Sequence, residues 1–154
     1  MNEPLAITIP GVPTPKRRPR FARCRGHVRT YDTQSDEKQT MQWQLKARMQ
    51  KPPLHGSLYV EMKFYMPIPK STSKKNKEQM LSGVIKHTKK PDCDNLIKMP
   101  LDCMNGIVFE DDRQIYELKA VKLYSENPRT EITIWQESNH DKSLEDGQPL
   151  SPFN

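Results

Sequence analysis

The chain has 154 residues, enough for one domain, and a hydrophobic content of 34% with 14 prolines allows only a modest core with several loops. A formal net charge of +6 favours an anionic partner. No run approaches the length of a membrane span, the N-terminal MNEPLAITIP lacks the basic-then-apolar pattern of a signal peptide, and three irregularly spaced cysteines argue against a disulfide framework, so a cytoplasmic location is expected.

Pro4–Pro10 alternates, with Leu5, Ile7 and Ile9 on one side, and predicts the first strand. Lys16–Arg29 carries Lys16, Arg17, Arg18, Arg20, Arg23, Arg25 and Arg29 and no acidic residue. Pro19 and Gly26 argue against a continuous helix and predict a loop or loose hairpin turning at Arg25-Gly26. Arginine pairs bidentately with phosphate, so the run reads as a clamp on a nucleic-acid backbone; a solvated basic loop is the plainer alternative.

Thr33–Gln50 predicts a helix, with Thr33 and Asp36 in capping-box spacing and Met41, Leu45 and Met49 as its buried stripe. Trp43 lies off that stripe, which leaves it for another element or a second subunit. Ser57–Met66 predicts a strand whose core face is Leu58, Val60, Met62, Phe64 and Met66.

Lys70–Lys90 is a second basic region, with Lys74, Lys75, Lys89 and Lys90 among its cations and Glu78 as its one acid. It reads as a flexible flap that touches DNA, with a short helix over Asn76–Leu81. Ile115–Tyr124 and Thr130–Glu137 read as a terminal hairpin turning at Asn127-Pro128. The polar stretch 138–154 reads as a disordered acidic tail after a domain spanning 1–137.

The organising stretch is Lys90–Ile115, KPDCDNLIKMPLDCMNGIVFEDDRQI. In an extended segment Asp92 and Asp94 would project to the same side, and like charges held close cost free energy unless a cation or a proton sits between them. Asp94-Asn95 reads as a helix start, Lys98 falls one turn further on, and Asn105-Gly106 reads as a stop. Pro100 either kinks that helix or begins a second one. Asp111 and Asp112 form a second acidic cluster, while Asp102 is the weaker ligand candidate. Carboxylate oxygens with open positions suit Mg²⁺, with Mn²⁺ as substitute, bound together with phosphate oxygens. An EF-hand is excluded, since Ile97 stands where its glycine belongs. A zinc site from Cys24, His27, Cys93 and Cys103 lacks a C-x₂-C pair.

The order K-P-D-x-D-N-L-x-K, then L-D-x-x-N-G, then D-D-x-Q-I closely resembles the RusA family of Holliday junction resolvases. The resemblance implies a metal-dependent endodeoxyribonuclease of phage or prophage type. It implies essential carboxylates at Asp92, Asp94 and Asp112, with Asp111 beside them, and an essential lysine at Lys98. It further implies a homodimer that cuts opposed strands of a four-way junction by paired symmetric nicks. The fold expected is α+β, a small mixed sheet with helices on one face. Two rivals remain open: a non-catalytic DNA-binding or regulatory module, and a nuclease for flaps or other branched DNA.

Overall fold

The computed structural model describes residues 3–18, 20–31 and 33–137. The expected tail at 138–154 lies outside them. Strand β1 (Leu5–Pro10) leads through a basic segment into a hairpin of β2 (Arg20–Cys24) and β3 (His27–Tyr31). Then come α1 (Ser35–Arg48), β4 (Leu58–Pro67), α2 (Lys74–Leu81), α3 (Cys93–Met104), a 3-10 turn (Asp112–Gln114), β5 (Ile115–Ser125) and β6 (Arg129–Gln136).

A four-stranded sheet in the order β1-β6-β4-β5 forms the frame. β6 runs antiparallel to both β1 and β4, whereas β4 and β5 are parallel. The expected hairpin of the last two strands is therefore not formed, because β4 lies between them. The connection from Ser125 to Arg129 spans the end of β4, a gap of about 9.6 Å between next-nearest strands. Asn and Pro suit such a bridge as well as they suit a tight hairpin turn, so local composition did not separate the two.

The alternation in β4 is realised. Leu58, Val60, Met62, Phe64 and Met66 are all buried on one face, with Ile7, Ile9, Ile132 and Ile134 from its neighbours. α1 supplies Met41 and Leu45 to this core, with Met49 just past its end, and α3 supplies Leu96, Met99, Cys103 and Met104. Burying each such side chain contributes roughly 1.5–3 kcal/mol. On the other face of β4, Tyr59 stacks on Trp135 at 4.9 Å, and the Arg129 guanidinium lies 3.8 Å over the Tyr65 ring. Trp43 is 68% exposed.

Two expectations about helices are corrected. Helix α1 begins at Ser35 with Gln34 at its cap and no side-chain cap bond, so the Thr33 capping box is not used. Helix α3 runs unbroken through the buried Pro100 and begins at Cys93, with Asp92 rather than Asp94 at the cap. Pro100 has no N–H to offer the Leu96 carbonyl, and the apolar face of α3, sealed into the core, offsets that loss. The helix does stop at Asn105, and Gly106 takes the positive φ of 78° that a terminating residue needs.

Candidate active site

Residues 68–114 cross over between the parallel strands β4 and β5, and the start of α3 sits inside that crossover. Asp92 caps α3 in extended conformation, yet its carboxylate makes no cap hydrogen bond. Asp94 follows in the first turn, where the helix dipole favours a negative charge. Neither carboxylate has a hydrogen bond or ion pair among the described residues, and both are exposed. The two carboxylates thus share a helix start rather than one side of an extended strand.

Strand β5 holds this start in place. The Lys122 ammonium donates to the carbonyls of Lys89 at 2.8 Å and Pro91 at 3.0 Å, on either side of Lys90. The Lys90-Pro91 peptide is cis. Just upstream, the His87 ring packs on Tyr124 of β5 at 4.9 Å, and His87 Nδ1 is buried with no hydrogen-bond partner among the described residues. Burial pushes the His87 pKa down, and the Lys122 ammonium adds to that shift.

The basic segment after β1 forms the opposite wall. Lys16 N–H donates to the Asn95 carbonyl at 2.9 Å, and the Lys16 ammonium forms an ion pair with Asp102. Gln34, 1% exposed, fixes the same segment: its carbonyl accepts from Arg17 N–H at 2.6 Å and its amide donates to the Pro15 carbonyl at 2.8 Å. The result is an open cleft of about 620 Å³ lined by Lys16, Arg17, Arg18, Asp92, Asp94, Asn95 and Lys98.

The cleft joins Asp92, Asp94 and Lys98 as the sequence pattern implied, and adds Asn95. Asp111 and Asp112 lie elsewhere. The Asp111 carboxylate caps the 3-10 turn by accepting from Arg113 N–H at 2.9 Å, and that bond is the largest cause holding its pKa below the usual carboxylate range. Gln114 completes a capping box there and also donates to the Leu54 carbonyl at 3.0 Å, so the turn is tied to the chain leading into β4. Asp92, in contrast, is held near Lys122, which pairs with Phe64 late in β4. The two acidic pairs therefore stand at opposite ends of α3, a 12-residue helix about 18 Å long. Among the described residues, no three His, Cys, Asp or Glu side chains come together as a metal cage. Asp92 and Asp94 alone still fit Mg²⁺, which is commonly held by one or two carboxylates with waters and substrate phosphates.

Of the other cations, Arg18, Arg23, Arg25, Lys74, Lys75, Lys89 and Lys90 are exposed. Arg17 comes within 3.9 Å of Glu37. For Arg20 the backbone position in β2 is defined. The second basic region is more ordered than a loose flap: Ser73 caps α2, and Lys77 pairs with Glu126 at 2.6 Å beside β5. Sequence reasoning missed Gln34 and the Lys16–Asp102 pair, since partners so far apart in the chain leave no local signal.

A family model described as endodeoxyribonuclease RusA matches residues 10–135, which takes in every element from the end of β1 to β6. The chain is also similar to the uncharacterized protein YqaN of Bacillus subtilis (strain 168). The two are 35% identical over 134 residues, covering 84% of this chain and 94% of the relative.

Proposed function

The chain belongs to the RusA endodeoxyribonuclease family, and from that premise we propose that it is a metal-dependent nuclease that resolves four-way DNA junctions by paired nicks. The observation that carries this reading is the cleft at the start of α3. Two carboxylates uncommitted to the fold share it with Lys98, in a wall of Lys16, Arg17 and Arg18. Bare carboxylates repel DNA, so exposed acids inside a basic surface make sense where a cation joins them to phosphate.

In this reading Asp92 and Asp94 hold Mg²⁺ or Mn²⁺, with the Asn95 side chain beside them. Held there, such an ion would supply an activated water and neutralise charge on the phosphate. Lys98, one turn from Asp94, positions the scissile phosphate and stabilises the charge that develops on it. Arg18, Arg23, Arg25, Lys74, Lys75, Lys89 and Lys90 grip the backbone of the arms. In a homodimer, Asp112 and the neighbouring Asp111 of one copy would serve the cleft of the other. Two-fold symmetry then matches paired cuts.

Cleavage of a synthetic mobile four-way junction, with linear duplex and flap controls, tests the reading. Paired nicks confined to the junction, present in Mg²⁺ and lost in EDTA, are expected. Asp94→Asn is expected to bind the junction and not cut it. Binding without cutting in both Mg²⁺ and Mn²⁺ by the unaltered chain would favour a non-catalytic DNA-binding module. Equal cutting of flaps would favour a broader branched-DNA nuclease.

A further inference from the structure

We propose that the face of the β2–β3 hairpin bearing Phe21 and Val28 is a stacking surface for bases left unstacked at a DNA branch point. This rests on the function proposed above and names what separates a branched substrate from plain duplex. Phe21 is 72% exposed and Val28 58% exposed. Phe21 pairs with Thr30 and Arg23 pairs with Val28, so Phe21 and Val28 are diagonal neighbours on one face of the ladder. The register is fixed by a two-residue turn with positive φ at both positions, 51° at Arg25 and 82° at Gly26. A two-stranded hairpin has no core of its own in which to bury such a pair.

The charge around the pair selects the occupant. Lys16–Arg29 has no acidic residue, and Arg23 and Arg25 are exposed beside the apolar pair, so the face suits a polyanion with accessible aromatic surface. The hairpin also grows out of the cleft wall. Arg18 lines the cleft and Phe21 is three residues further on, so their backbones lie within about 11 Å even if the chain is fully extended. Bases near a cut at a junction are those at the branch point, where stacking is interrupted. Duplex bases are stacked on both sides and offer Phe21 no open π-face. Arginine contacts to phosphate are available on either substrate, so they hold DNA without telling the two apart.

The test uses the full chain in EDTA, so that binding is read without cleavage. The probes are a four-way junction with 2-aminopurine beside the branch point and a duplex carrying the same base. The wild type is expected to prefer the junction and to change the 2-aminopurine fluorescence there. Phe21→Ala and Phe21→Leu are expected to lose about 5- to 100-fold in junction affinity, with duplex affinity held within about twofold, and to lose the fluorescence change. Phe21→Tyr is expected to retain both. Phe21→Leu keeps an apolar side chain on the hairpin, so its loss of selectivity reads the π-face and not folding. Equal weakening on junction and duplex, or undiminished junction selectivity in Phe21→Leu, overturns the proposal. A fall in oligomeric mass with junction selectivity intact also overturns it and assigns the face to a second copy. A wild type that binds both probes equally overturns the functional reading along with this one, which separates the two failures.

Discussion

The Lys122 ammonium donates to the Pro91 carbonyl at 3.0 Å, immediately before Asp92, and to the Lys89 carbonyl at 2.8 Å. One side chain on a rigid strand thus satisfies two carbonyls of an irregular loop and sets where α3 begins. Hydrogen bonds from a charged donor contribute roughly 1.5–3 kcal/mol, and misplacing a catalytic group by about 1 Å can cost on the order of 100-fold in rate. Lys122→Met is expected to lower single-turnover cleavage by about 10- to 100-fold while junction affinity stays within about threefold. Loss of binding in step with cleavage would instead make Lys122 a DNA contact.

The separation of the acidic pairs predicts complementation. Asp94→Asn and Asp112→Asn chains are each expected to be inactive alone. Co-refolded as mixed dimers, they would place both substitutions in one cleft and leave the other intact. Single nicks in the mixture, absent from either variant alone, are the expected outcome. Inactivity of a verified mixed dimer would mean that Asp112 acts within its own chain.

Asp102 provides a contrast with Asp94. Its carboxylate is paired with Lys16 and does not line the cleft. Asp102→Asn is expected to keep metal-dependent cleavage. It also releases the Lys16 ammonium toward phosphate, so the slope of log K against log salt for DNA binding should steepen by up to about 0.9, the value of one further phosphate contact. A salt titration of duplex binding measures this directly, and an unchanged slope would show that Lys16 already contacts phosphate in the unaltered protein.

Much of this organisation was legible because it is local. The period of two in Leu58–Met66, the turn at Arg25-Gly26, the stop at Asn105-Gly106 and the acid-lysine spacing around α3 each lie within a few residues. What failed was non-local. Nothing in Ile115–Gln136 reveals that β4, about fifty residues upstream, inserts between its two strands. Thr33 and Asp36 have capping-box spacing, but the buried Gln34 decides how the helix starts, because the basic segment needs its amide. The family resemblance sets Asp111 beside Asp92, Asp94 and Asp112, and within one chain its carboxylate caps a turn tied to Leu54.

His87 should make stability depend on acid. Its ring is packed on Tyr124, and its pKa is pushed below the ordinary 6.5 by burial, then by the Lys122 ammonium and to a lesser degree by Lys89, against a smaller upward pull from its own backbone. The unfolded chain therefore binds a proton at a pH where the folded chain does not, and stability falls as pH drops below about 6.5 until the folded pKa is reached. Above that range His87 adds no slope. His87→Phe keeps an aromatic partner for Tyr124, removes the unpartnered Nδ1 and removes the titration. Thermal melts at pH 5 and pH 7.5 are expected to show a smaller difference for His87→Phe than for the wild type, with the variant's gain concentrated at pH 5. An unchanged difference would place the acid sensitivity in other groups.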